Sequence, residues 1–121
     1  MIKYIYDEKG WNLSRPKLII SVTGGAKKFS MPHRMKKAFK CGLIKAAVST
    51  GAWIITGGTN NGVMRLVGEA VADELDKYNT NLPVIGIATW GKINMRSKLI
   101  KNSPNSNLVR TKFNESVIKT Y

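Results

Sequence analysis

Three short apolar runs alternate along the chain with two stretches of helical periodicity. The runs are Lys17-Leu18-Ile19-Ile20-Ser21-Val22-Thr23, Ala52-Trp53-Ile54-Ile55-Thr56 and Pro83-Val84-Ile85-Gly86-Ile87-Ala88. Continuous apolar character in so short a run predicts a strand buried on both faces, as in a parallel sheet. From about His33 to Thr50 the apolar positions Met35, Ala38/Phe39, Gly42/Leu43 and Ala46/Ala47 recur at helical intervals, and Gly51 follows as a stop. A second helix is predicted over roughly residues 61–77, with Asn60 as N-cap and an apolar stripe of Val63, Leu66/Val67, Ala70/Val71 and Leu75. Asp73 and Lys77 stand four apart on it, and the spacing predicts an ion pair. Glu69 and Asp73 read as a solvated face.

The order is β-α-β-α-β. It predicts an α/β domain, a parallel sheet with right-handed crossovers and flanking helices. Arg15-Pro16 marks a boundary, so residues 1–16 form a lead-in. Residues 17–99 carry the α/β pattern, and residues 100–121 read as a divergent, weakly ordered tail. Three strands are half of a doubly wound fold. The domain is expected to be incomplete, with an exposed sheet edge.

Ligands of open α/β sheets bind beyond the carboxyl ends of the strands. Here the first strand ends Thr23-Gly24-Gly25-Ala26-Lys27, and the second ends Thr56-Gly57-Gly58-Thr59-Asn60-Asn61-Gly62-Val63, directly before a helix. Paired glycines let the backbone approach a ligand, and the free N–H groups of a helix start favour anions. A phosphate site follows from those residues, with Lys27 and the threonine hydroxyls in support. The spacing G-G-x-x-x-G matches neither standard phosphate motif. The alternative is that these glycines only make tight strand-to-helix turns; spacing leaves both readings open.

Composition narrows the partners. The 121 residues hold 20 Lys+Arg against 7 Asp+Glu, a formal net charge of +13. Such a charge favours polyanions. No acidic residue lies between Lys9 and Gly68, and the basic residues gather on the first helix and the tail. No nucleic-acid motif accompanies them, so non-specific polyanion binding is a weaker reading and specific nucleic-acid readout is not expected. The single His33 and single Cys41 cannot build a Cys/His zinc site by themselves. His33 reads as an exposed helix start, Cys41 as a packed apolar residue, Trp53 as core, and Trp90 as core or rim. The longest uncharged stretch, Ala46–Met64, is too rich in Gly, Asn and Thr for a membrane span.

The chain resembles a known family in these same blocks. Trp11-x-Leu13, Pro16-Lys17-Leu18-Ile19-Ile20-Ser21-Val22-Thr23-Gly24-Gly25-Ala26-Lys27, Gly42-Leu43-Ile44-Lys45-Ala46-Ala47, Thr50-Gly51-Ala52-Trp53-Ile54-Ile55-Thr56-Gly57-Gly58-Thr59, Val67-Gly68-Glu69-Ala70-Val71 and Ile85-Gly86-Ile87-Ala88-Thr89-Trp90-Gly91 are similar to the N-terminal cytosolic region of melastatin-type transient receptor potential (TRPM) cation channels. The similarity covers about Trp11 to Leu99. It implies a Rossmann-like SLOG domain related to lysine-decarboxylase-like nucleotide-processing proteins. It implies an ADP-ribose-like nucleotide as ligand, with no cofactor required, and contacts at Thr23, Gly24, Gly25, Gly57, Gly58, Thr59, Gly62 and Val63. The strand-end charge and loop add Lys27 and Asn60, and Arg96 stands where the family carries an arginine cluster. Serine at position 97 departs from the acidic residue expected there. The catalytic P-G-G-x-G-T-x-x-E motif of the enzymatic relatives is absent, so a channel ligand-sensing and assembly segment is expected rather than an enzyme. Its implied partners are other regions and subunits of a tetrameric channel, at the cytoplasmic face of a membrane that this segment does not itself enter. The alternative is a stand-alone nucleotide-binding protein or phosphoribohydrolase.

Overall fold

The computed structural model describes residues 5–6, 8, 11–25, 30–93, 108–110 and 116–120. Its elements are β1 (Leu18–Val22), α1 (His33–Thr50), β2 (Ala52–Thr56), α2 (Gly62–Glu74), a 3-10 turn (Leu75–Tyr78), β3 (Val84–Thr89), a second 3-10 turn (Trp90–Lys92), β4 (Leu108–Arg110) and β5 (Ser116–Thr120). The three apolar runs are the three parallel strands, β1 beside β2 and β2 beside β3. The sheet order is β1-β2-β3-β5-β4.

Both crossovers step the same way across the sheet, so crossovers of one hand bring both helices to one face. The packing shows this. Ile44 and Ala47 of α1 and Val67 and Ala70 of α2 form one buried cluster with Ala52, Ile54 and Val84 of the strands, and Ile20 and Val22 of β1 pack against it. Ile44, Ile54, Val67 and Val84 are the largest fully buried side chains. Each contributes about 1.5–3 kcal/mol by leaving water. The alternate strand positions Trp53 and Ile85 face the other way and are covered by Ile5, Trp11 and Leu13 of the lead-in.

Several local expectations are corrected. Met35 is 59% exposed, and α1 instead turns Phe39, Leu43, Ile44, Ala47 and Val48 inward. Burial of that larger apolar set fixes the rotation, which leaves Lys36 and Lys40 beside α2. The N-cap of α2 is Asn61 in extended geometry, not Asn60. The helix ends at Glu74 and tightens into the 3-10 turn, short of residue 77. The region expected to be a loop or weakly ordered tail contains β4 and β5, paired antiparallel with each other, and β5 runs antiparallel to β3. Runs as short as Leu108-Val109-Arg110 are below the length at which periodicity is readable. The β3 edge is therefore covered, and among the described strands β1 and β4 are the outer ones.

Candidate ligand site

The strand ends place the predicted loops side by side. Thr23, Gly24 and Gly25 are exposed, Gly57, Gly58, Thr59, Gly62 and Val63 are half-buried, and Asn60 is exposed. A Cβ on Gly24 would lie 3.0 Å from Val63 Cγ1, so the loop after β1 rests directly on the first turn of α2. Gly58 is fixed by local geometry. Its φ is +65°, and a Cβ there would stand 2.9 Å from the carbonyl carbon of Gly86 on β3. Its N–H donates to Thr56 Oγ1 at 3.1 Å, which satisfies the buried hydroxyl. At this position the tight-turn requirement accounts for the glycine. Lys27 and Arg96 lie outside the described residues.

Beside these loops a groove of about 430 Å³ opens between the starts of α1 and α2. Asn60 and Gly62 line it as part of the predicted site, joined by Ser30, Lys36, Arg65 and Glu69. Thr23, Gly24, Gly25, Gly57, Gly58, Thr59 and Val63 are not among the groove's lining residues.

The missed residues form a charged clasp between the helices. Glu69 Oε2 accepts from Lys36 Nζ at 2.6 Å and from Lys40 Nζ at 3.1 Å, while its Oε1 accepts from Arg65 Nε at 3.0 Å. Lys40 also donates to Asp73 Oδ2 at 2.7 Å. Lys36 and Lys40 stand four apart on α1, as Glu69 and Asp73 do on α2, so the two pairs share one register. The face expected to be merely solvated is thus an interhelical one. That matched spacing, with both helices on one face, was the available signal. Lys36, then Lys40, hold the Glu69 carboxyl down at about 2, with Arg65 in support. The Asp73 hydrogen bond raises the Lys40 ammonium, reinforced by Glu69.

The expected Asp73–Lys77 pair does not form. Asp73 is taken by Lys40, and Lys77 pairs with Glu74 at 2.5 Å because the 3-10 turn brings residues three apart together. Lys77, then the Cys41 thiol, lower the Glu74 carboxyl. Cys41 is half-buried and His33 exposed at the start of α1. Trp53 and Trp90 are buried. Among the described residues no helix is long and apolar enough to cross a membrane.

A family profile described as "SLOG in TRPM" matches residues 3–120, beyond the block similarity at both ends. The chain is 57% identical over 94 residues to a transient receptor potential cation channel subfamily M member-like 2 of Nematostella vectensis, covering 76% of this chain and 6% of that protein. It is 54% identical over 93 residues to subfamily M member 2 of Rattus norvegicus, 74% of this chain and 6% of that protein. Against subfamily M member 7 of Homo sapiens it is 48% identical over 92 residues, 76% and 5% respectively. The chain therefore matches only about a twentieth of the length of these relatives.

Proposed function

Because this chain belongs to the family of SLOG domains in TRPM, we propose that it serves as part of the cytosolic N-terminal ligand-sensing and assembly region of a TRPM-like cation channel. The observation that carries this reading is the identity to TRPM channels, 57% and 54% over about three quarters of the chain. The ligand we assign is a phosphate-bearing nucleotide of the ADP-ribose type, held at the carboxyl ends of β1 and β2. Contact between Gly24 and Val63 supports it, since it joins the two loops into one surface. Thr23, Gly25, Gly57, Thr59 and Asn60 would present hydroxyl, amide and backbone donors there; Lys27 and Arg96 are the cations the sequence offers, outside the described residues.

No catalytic step is assigned to the chain. Its part in a channel is to bind and to dock against other regions and subunits, and its basic surface suits acidic neighbours. Calorimetric titration of ADP-ribose into the chain tests the ligand assignment. Saturable heat that is lost in Gly25→Glu supports it, and absence of heat in the unsubstituted chain rejects it. Release of free base from a nucleoside monophosphate by the chain would instead favour the hydrolase alternative.

A further inference from the structure

We infer that the Glu69 carboxylate stands in for a ligand anion in the groove between α1 and α2, and that a phosphate group enters by taking over Lys36 and Arg65. The inference deepens the reading above and takes from it only the nature of the anion.

Four observations carry it. One carboxylate engages three cations drawn from two helices, close to its full acceptor capacity. Two of those cations, Lys36 and Arg65, line the groove, whereas Lys40 does not. Among the described lining residues of the groove Glu69 is the one acidic side chain, beside the donors of Ser30 and Asn61. Finally, Lys40 and Asp73 also join the helices outside the groove, so an interhelical ion pair remains when the groove-side partners of Glu69 are taken.

The exchange leaves no charge stranded. A phosphate arriving at Lys36 and Arg65 finds a two-pronged set of cations, the Arg65 Nε–H being released from Glu69 Oε1 to donate to it. Glu69 keeps Lys40, which is 12% exposed at its side chain and faces it from the other side. The carboxylate thus acts as a counter-ion that a stronger anion displaces. It sets a threshold on affinity, and it orders the cations while the groove is empty of ligand.

The test uses inorganic pyrophosphate as probe, titrated calorimetrically into the full chain at fixed low salt. Glu69→Gln is expected to bind it about tenfold more tightly than the unsubstituted chain, since a like charge beside the phosphate is gone. Asp73→Asn, which removes a carboxylate from Lys40 outside the groove, is expected to leave the affinity unchanged. Arg65→Ala, at a position 65% exposed and so safe for folding, is expected to weaken binding. Equal or weaker binding by Glu69→Gln, an equal gain in Asp73→Asn, unchanged affinity in Arg65→Ala, or no pyrophosphate binding by any form would each overturn the inference. ADP-ribose is titrated separately. Loss of that signal alone rejects the nucleotide reading and leaves the pyrophosphate result standing.

Discussion

Glu69 of α2 and Lys36 of α1 meet at 2.6 Å across the helix pair, on the same register as Asp73 and Lys40 one turn further along. The pairing ties stability to pH. The folded-state pKa of Glu69 is depressed to about 2 from an ordinary 4.5, so its contribution is fully present above 4.5 and is lost as pH falls from there toward 2. Urea midpoints are expected to fall across that window, and Glu69→Gln is expected to flatten the fall. An unchanged slope in Glu69→Gln would refute the assignment. At the other end, the raised Lys40 contributes stability below 10.5 that is lost as pH climbs past its folded value.

The clasp also predicts a coupling energy. Lys40 is only 12% exposed at its side chain and serves two carboxylates, which places it above an ordinary surface pair. Lys40→Ala is expected to destabilise by about 1 kcal/mol, the upper end for partly exposed ion pairs. The exposed Lys37→Ala should stay within about 0.5 kcal/mol of the unsubstituted chain. A double-mutant cycle between Lys40 and Asp73 measures the pair itself, and a coupling of zero would show that the short distance contributes nothing.

Gly58 carries a different constraint, set by backbone rather than charge. Alanine there needs φ near +65° and a Cβ 2.9 Å from the Gly86 backbone, which cannot give way as a flexible side chain would. Gly58→Ala is expected to cost about 2–3 kcal/mol or more, from left-handed strain with the clash added. Gly57→Ala is the control. Its Cβ would meet Met64 at an ordinary 3.6 Å, so only a small change is expected. Similar urea midpoints for the two variants would contradict the geometry.

These residues show what the sequence carries and where it stops. The strands are readable because Ile54 and Val84 sit in continuous apolar runs, and α1 is legible from helical periodicity beginning near His33 and from Gly51, which closes it with φ +62°. The loops were placed by their glycines. Which face each helix turns inward was not readable from its own periodicity. Met35 fits the stripe of α1 and is nevertheless exposed, because the helix turns on burial of Ile44 and Ala47 in a core cluster that Met35 does not join. Glu69 reads as solvated from sequence because its partners are 33 residues and 29 residues away, at Lys36 and Lys40. Strands β4 and β5 are not legible in local pattern because pairing defines them, β5 against β3 and β4 against β5.

The last prediction concerns the edge of the sheet. β1 is an outer strand, and its Leu18-Ile19-Ile20-Ser21-Val22 run carries neither charge nor proline. Outer strands are ordinarily blunted by such residues, because unpaired backbone groups beside apolar side chains recruit other chains. β4, at the opposite side, has three residues and ends in Arg110. On β1 Leu18 is 49% exposed and Ile19 54%, so the edge offers apolar surface as well as hydrogen-bonding groups. Ile19→Lys is therefore expected to reduce concentration-dependent association of the chain, followed by light scattering. Its effect on stability should be within about 1 kcal/mol, because little buried area is lost at so exposed a site. Light scattering that rises equally with concentration in both forms would show that association proceeds through another surface. A large loss of stability would show that Ile19 is packed more tightly than its exposure indicates.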